Sequence, residues 1–161
     1  MRPYPTVIAA VALLAAAGGT SAGSDQVADY QRCAACHLPT GEGIPGAFPP
    51  LKGRVANIAA SDEGRSYLVS VVNAGLMGSI TVNGVPYMGV MPAQGSSYDA
   101  AGISDVLNYS VQVIDEANVQ PGWKAFSAEE VTELLKANAT ATSQSNGKLR
   151  EALLEQYPAL Q

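Results

Sequence analysis

Two thiols and one imidazole lie within five consecutive residues, Cys33-Ala34-Ala35-Cys36-His37. Cysteines three residues apart on a helix lie on nearly the same face, so both sulfur atoms can react with one flat ligand. Each thiol can add to a vinyl group of haem as a thioether, and the imidazole of His37 can then bind the iron as an axial ligand. The C-x-x-C-H pattern therefore predicts one haem c attached through Cys33 and Cys36.

Three other uses of a cysteine pair fit this sequence less well. A thioredoxin-like redox pair has the same spacing, but it belongs beside a β-α-β pattern, and the sequence shows none. A closed zinc site needs four ligands, whereas the whole chain contains two cysteines and one histidine. A disulfide between Cys33 and Cys36 would leave His37 unexplained.

The second axial position of the iron has several candidate ligands. Because there is no second histidine, it is taken by a methionine, by a weaker ligand or by none. The candidate methionines are Met77, Met88 and Met91. A thioether stabilises ferrous iron and suits an electron carrier, whereas an open position would suit gas binding or peroxide chemistry.

Helices and loops are expected to position these groups. Apolar residues at helical spacing predict helices over residues 25–36, 61–74, 98–114 and 148–156, and a capping box at residues 127–130 opens another. Segments 38–53 and 78–92 are rich in Pro and Gly and are predicted to be irregular, apart from a short strand at 80–82 before an Asn-Gly turn. The polar segment 138–147 is predicted to be flexible.

The first 22 residues are predicted to be a secretory signal peptide. Arg2 precedes an apolar run from Val7 to Ala17, and small residues follow as far as Ala22, which is the order of such a signal. The run is too short to span a bilayer, which needs about 20 residues. We expect cleavage before Gly23, a periplasmic location and no stable membrane insertion afterwards; a retained anchor is the competing hypothesis.

The charge of the chain limits its partners. Removal of the signal would leave eight basic and 14 acidic side chains, a formal charge of −6. Such a protein repels nucleic acid and anionic membrane surfaces. We therefore expect redox partner proteins that carry a basic docking patch, and no binding of nucleic acid.

Motifs beyond the cysteine pair resemble the class I c-type cytochromes, in particular the small bacterial monohaem kind. Phe48-Pro49-Pro50-Leu51 is similar to the F-P-x-L loop of that family, and residues 87–92 (YMGVMP) are similar to its distal-ligand segment. The resemblance covers about residues 25–115. It implies an all-α cytochrome c fold, with helices and loops around one covalently attached haem and a C-terminal helical extension.

The resemblance also implies roles for individual residues. Met91 would be the distal ligand of the iron, opposite His37. The carbonyl of Pro49 would accept the proton on the far nitrogen of His37 and so orient the ring. Leu51 would pack on the face of the haem.

Polar residues of the same segments are expected to support the cofactor. Tyr87 and Asn83 would hydrogen-bond near the methionine sulfur or a haem propionate, although an Asn-Gly turn alone would also explain Asn83. Lys52 and Arg54 would neutralise propionates, or would be solvated loop charges.

These expectations divide the chain into a signal peptide (1–22), a cytochrome c domain (23–116) and a C-terminal extension (117–161) of linker and short helices. Trp123 and Phe126 favour packing of the extension on the domain, since exposed aromatic residues are disfavoured. The expected function is electron carriage between a dehydrogenase or respiratory complex and an acceptor, not catalysis. Two alternatives stay open: a haem c subunit held permanently in an oxidoreductase complex, and a gas-binding or peroxidatic haem protein.

Overall fold

The structure, a computed structural model, describes residues 22–160 of the chain. The predicted signal peptide lies outside the described residues apart from Ala22. The main helices are α1 (Ala22–His37), α2 (Val55–Ile58), α3 (Asp62–Ala74), α4 (Ala100–Tyr109), α5 (Ala128–Ala137) and α6 (Ser143–Gln156). A hairpin of β1 (Leu76–Val82) and β2 (Val85–Met91) lies between α3 and α4 in the chain, a π-helical turn (Ser110–Ile114) extends α4, and short 3-10 turns cover Glu116–Asn118 and Pro158–Leu160.

The class of fold is all-α, as predicted, because 54% of the residues are helical. No helix in the described part of the chain is long and apolar enough to cross a membrane. The core joins α1, α3 and α4 to the extension, and its largest fully buried side chains are Val69, Ile103, Val106, Val111 and Val131.

Arg65 on α3 is one of the polar contacts through which the C-terminal extension packs on the domain. Arg65 on α3 donates two hydrogen bonds of 2.6 Å to the carboxylate of Glu130, and its guanidinium lies 3.7 Å above the ring of Phe126. Ser127 caps α5 by accepting a hydrogen bond from the Glu130 amide at 3.1 Å. The Glu130 side chain therefore binds Arg65 instead of closing the predicted capping box, and it ties α5 to α3.

A buried carboxylate holds the π-helical turn in place. Asp115 is 1% exposed and accepts hydrogen bonds from the amides of Gly53 (2.6 Å) and Ala56 (2.9 Å) and from the side chain of Asn118 (2.7 Å). These bonds join α2 and the loop before it to the last turn after α4, so two segments distant in sequence are fixed together.

The segment 78–92 is a regular antiparallel hairpin apart from its last residue, so the prediction of an irregular segment was wrong. The register runs from the Leu76–Met91 pair to the Val82–Val85 pair, and the predicted turn at Asn83-Gly84 is present. Both turn residues have positive φ, 51° and 77°, as a two-residue hairpin turn requires. Glycines interrupt the alternation of apolar residues on both strands and so conceal the period in the sequence.

The start of α6 was also predicted wrongly. The helix begins at Ser143, and Thr142 and Ser145 form a reciprocal capping box there, so residues 143–147 are helical where the sequence predicted flexibility. Asn146 is 1% exposed and is hydrogen-bonded to α3. A segment of polar composition is thus fixed by buried hydrogen bonds, which a hydropathy pattern does not reveal.

Candidate haem site

A cleft separates the end of α1 from the hairpin. It consists of two adjoining cavities, one of about 340 Å³, here called the hairpin cavity, and one of about 120 Å³, here called the arginine cavity. Both share the lining residues His37, Pro49, Leu76, Ile80 and Met91.

The C-x-x-C-H residues reach the cleft from the last turn of α1. Cys33 lines the arginine cavity, Cys36 lines the hairpin cavity, and both thiols are free and half-buried. Burial raises the pKa of the Cys33 thiol to about 11. A thioredoxin-like pair needs a lowered thiol pKa, so this environment does not suit that alternative.

His37 is held as a neutral imidazole with one nitrogen available. Its ring is 8% exposed, and Nδ1 lies 2.8 Å from the carbonyl oxygen of Pro49. Because that oxygen can only accept, Nδ1 carries the proton, and Nε2 has no hydrogen-bond partner among residues 22–160. Burial lowers the pKa of His37, although the bond to Pro49 acts in the opposite direction. This is the form of histidine that binds a metal.

A strained residue turns the chain directly after His37. Leu38 has a left-handed conformation (φ 65°), and its amide donates a 2.9 Å hydrogen bond to the carbonyl of Ala34. Such a conformation costs a residue with a side chain about 1–2 kcal/mol. The turn brings the following loop back along α1, so that Pro49 reaches the imidazole.

Strand alternation separates the three candidate methionines. Met91 is half-buried on the inward face of β2 and lines both cavities. Met88 lies three residues earlier and also borders the hairpin cavity, but strand alternation points its side chain away from that of Met91, and it is 82% exposed; Met77 on β1 is 47% exposed. The side chain of Met91 therefore faces into the cleft that His37 also lines.

The residues of the cleft fit haem c: two free thiols, a neutral imidazole with an unbonded nitrogen, and mostly apolar walls. No protein-family model matches the chain. It is 44% identical over 124 residues to a cytochrome c-552 of Thermus thermophilus, a match that covers 77% of this chain and 83% of that protein. A second Thermus thermophilus cytochrome c-552 is 47% identical over 105 residues, or 65% of this chain and 79% of its own.

The chain belongs to the class I monohaem c-type cytochromes.

Membership of this family makes the protein a haem c electron-transfer protein. In this cytochrome, Leu51 is half-buried and lines the arginine cavity, and Tyr87 is buried and lines the hairpin cavity. Asn83 is not brought to the cleft; it is exposed at the hairpin turn with φ 51°. Its positive φ fits the Asn-Gly turn, which was the alternative explanation.

Two arginines of this cytochrome meet at the cleft, and sequence reasoning missed the second. Arg54 and Arg150 both line the arginine cavity, and Arg150 is 8% exposed. Each donates to a backbone carbonyl, Arg54 to Leu160 at 2.8 Å and Arg150 to Thr81 at 2.9 Å. Neither forms an ion pair with a carboxylate within residues 22–160.

The arginine cavity is therefore a positively charged pocket without a counter-ion among the described residues. Burial, and then the charge of Arg150, lower the pKa of Arg54. Tyr67 lines the same cavity, and burial raises its pKa to about 12, so its hydroxyl is a donor at neutral pH. The sequence offered no signal for Arg150, because it lies in the extension, far along the chain from the haem attachment motif.

Proposed function

We propose that this cytochrome is an exported, periplasmic electron carrier whose haem iron is bound by His37 and Met91. It would accept one electron at a time from a dehydrogenase or respiratory complex and pass it to an acceptor. The observation that carries the proposal is that an imidazole with an unbonded nitrogen and an inward-facing methionine line the same cleft.

Bound haem iron supplies the one-electron chemistry by changing between its ferric and ferrous states. The residues of this chain would hold the iron ligands in fixed positions among mostly apolar walls. The carbonyl of Pro49 fixes the orientation of His37, and Met91 ends a strand that is paired along its whole length. Fixed ligands and apolar walls reduce the rearrangement that accompanies a change of charge, which favours fast electron transfer.

An apolar surface beside the cleft supports a contact with partner proteins. Phe48, Met88 and Val90 line the hairpin cavity and are 36%, 82% and 60% exposed. Residues 76–98 and 43–51 contain no charged side chain. Exposed apolar patches mark protein contacts. The acidic residues lie outside these segments. A partner's basic patch would therefore contact acidic residues around the edge of the apolar contact.

The experiment that tests this proposal is purification of the protein from the periplasm of its source. We expect a mature chain that begins at Gly23, a mass that includes one covalently bound haem, and a reversible one-electron redox titration. Haem that organic solvent extracts would contradict covalent attachment. Recovery of the uncleaved chain in the membrane fraction would contradict the periplasmic location.

We further propose that Arg54 and Arg150 bind the haem propionates. Replacing Arg150 with glutamine should raise the pKa of a propionate by about 1–3 units. A protonated propionate no longer stabilises ferric iron, so the midpoint potential of the variant should fall as the pH rises through the new pKa. Redox titrations from acid to neutral pH measure this profile.

Lys148→Gln is the matched control for Arg150→Gln. Lys148 is exposed on the same helix, so its replacement removes the same charge without changing the cavity, and its pH profile should match that of the wild type. An Arg150→Gln profile identical to the wild type would contradict propionate binding by this residue.

A further inference from the structure

The hairpin wall of the cleft has a gap in its side chains. Along β2 the inward face carries Tyr87, Gly89 and Met91 in succession, and Gly89 pairs directly with Gly78 on β1. Both glycines line the hairpin cavity. We call this pair the glycine gap, because these two paired residues have no side chain, whereas the other residues on the inward face of the hairpin do.

The fold of the chain does not itself require the glycine gap at Gly89. An added Cβ atom at Gly78 or Gly89 would have no other atom within 4 Å. By contrast, a Cβ atom at Gly75 would lie 2.5 Å from the carbonyl oxygen of Met91, so the chain leaves no room there. Gly78 has a positive φ of 122°, which favours glycine, but the φ of Gly89 is not in that range.

Glycine inside a strand also weakens the strand. It loses more conformational freedom on folding than alanine does, and a glycine pair forgoes the cross-strand side-chain contact that stabilises sheets. Glycine at such a position commonly marks the close approach of a ligand to the backbone. The position of Gly89 therefore leaves room for an occupant that is not part of the chain.

A second observation supports a ligand in the same space. Cys36 and His37 line the hairpin cavity together with the glycine gap. His37 is 8% exposed, and its Nε2 atom has no hydrogen-bond partner in the described part of the chain. A buried imidazole with a free nitrogen and a thiol of the attachment motif thus share this cavity with the two bare backbones.

We propose that the glycine gap is where the edge of the porphyrin contacts the hairpin, and that the missing side chain at Gly89 sets how closely β2 approaches the iron. Met91 lies two residues further along the same strand, on the same face, so a shift of β2 at Gly89 moves Met91. Gly89 is then a positioning residue for the distal ligand. The inference rests on the His37 and Met91 ligation proposed above.

Gly89→Ala in the haem-loaded protein separates this proposal from a neutral role. If nothing contacts the gap, the methyl group enters open space and the strand gains stability. The equilibrium constant for release of Met91 from the iron should then be unchanged or lower. If the porphyrin contacts the gap, the methyl group pushes β2 away. The equilibrium constant for release of Met91, measured by carbon monoxide titration of the reduced protein, should then rise roughly tenfold or more. Gly89→Val should give a larger rise.

Ser79→Thr is the matched control, since it adds one methyl group to the neighbouring strand. Ser79 is exposed and pairs with the outward-facing Met88, so its carbon monoxide titration should match that of the wild type. The wild-type protein needs no variant for a direct check: an NMR cross-peak is expected between the Hα protons of Gly89 and a proton at the porphyrin edge.

The results of these experiments separate the contact at Gly89 from the ligation of the iron by Met91. A wild-type protein that resists carbon monoxide, with Gly89→Ala and Gly89→Val equal to it, would overturn the contact and leave the electron carrier intact. Absence of the Gly89 cross-peak would do the same, even if the variants proved unstable. A wild-type protein that binds carbon monoxide readily would overturn the ligation by Met91, and the positioning role of Gly89 with it.

Discussion

Replacing Met91 with alanine is expected to convert the haem from a low-spin form to a high-spin form that binds carbon monoxide. Met91 faces the cleft from the end of β2, and alanine cannot reach the iron. Loss of the proposed thioether ligand would remove a group that stabilises ferrous iron, so the midpoint potential should also fall. Visible spectra of the oxidised, reduced and carbon monoxide-treated protein, with a redox titration, measure both effects.

Met88→Ala is the control for that substitution. Met88 is three residues away and has the same side chain, but it is 82% exposed on the outward face of the strand. Its replacement should leave the spectrum, the potential and the resistance to carbon monoxide unchanged. An open iron in Met88→Ala, with Met91→Ala unaffected, would show that the face of β2 assigned to the cleft is the wrong one.

Replacing Asn146 with alanine is expected to lower the free energy of unfolding by about 3 kcal/mol. The side chain is 1% exposed. It accepts a hydrogen bond from the Ser70 hydroxyl at 2.6 Å and donates to the carbonyls of Ser70 at 3.0 Å and Gly75 at 2.7 Å. Alanine would leave all three groups buried without these partners. Denaturant unfolding of the haem-loaded protein measures the loss.

Gln144→Ala gives the comparison on the same helix. Gln144 is exposed, and its replacement should change the free energy of unfolding by no more than about 0.5 kcal/mol. Because Asn146 holds the carbonyl of Gly75, directly before β1, we also expect Asn146→Ala to weaken the hold on Met91. Equal free energies of unfolding for the two variants would contradict a stabilising role for the buried hydrogen bonds of Asn146.

The parts of the site that are local in sequence could be predicted from it. Cys33, Cys36 and His37 are adjacent on one helix turn, so their chemistry follows from their spacing alone. The resemblance to c-type cytochromes implied a bond from His37 to the carbonyl of Pro49, and the structure contains that contact at 2.8 Å. From the residues themselves, by contrast, the choice between Met88 and Met91 stayed open; the half-buried position of Met91 on β2 supports Met91, whereas Met88 is 82% exposed.

The parts that depend on distant or polar contacts could not be predicted. Arg150 reaches the cleft because α6 packs on β1, and no pattern near the haem motif indicates that contact. Asn146 was placed in a flexible segment because its neighbours are polar, yet hydrogen bonds bury it almost completely. The glycines at 78 and 89 concealed the strands, since they remove the apolar residues from the period that would have indicated them.

Binding of the iron by Met91 and His37 together can be tested by NMR of the reduced protein. Methionine methyl groups labelled with carbon-13 report separately on Met77, Met88 and Met91. When a methionine sulfur binds the iron, its methyl group lies over the porphyrin, and the ring current moves the methyl chemical shift far upfield. If both residues bind the iron, one displaced methyl signal is expected, absent from Met91→Ala and present in Met88→Ala. A wild-type spectrum with no displaced methyl signal, or one whose displaced signal persists in Met91→Ala, would contradict it.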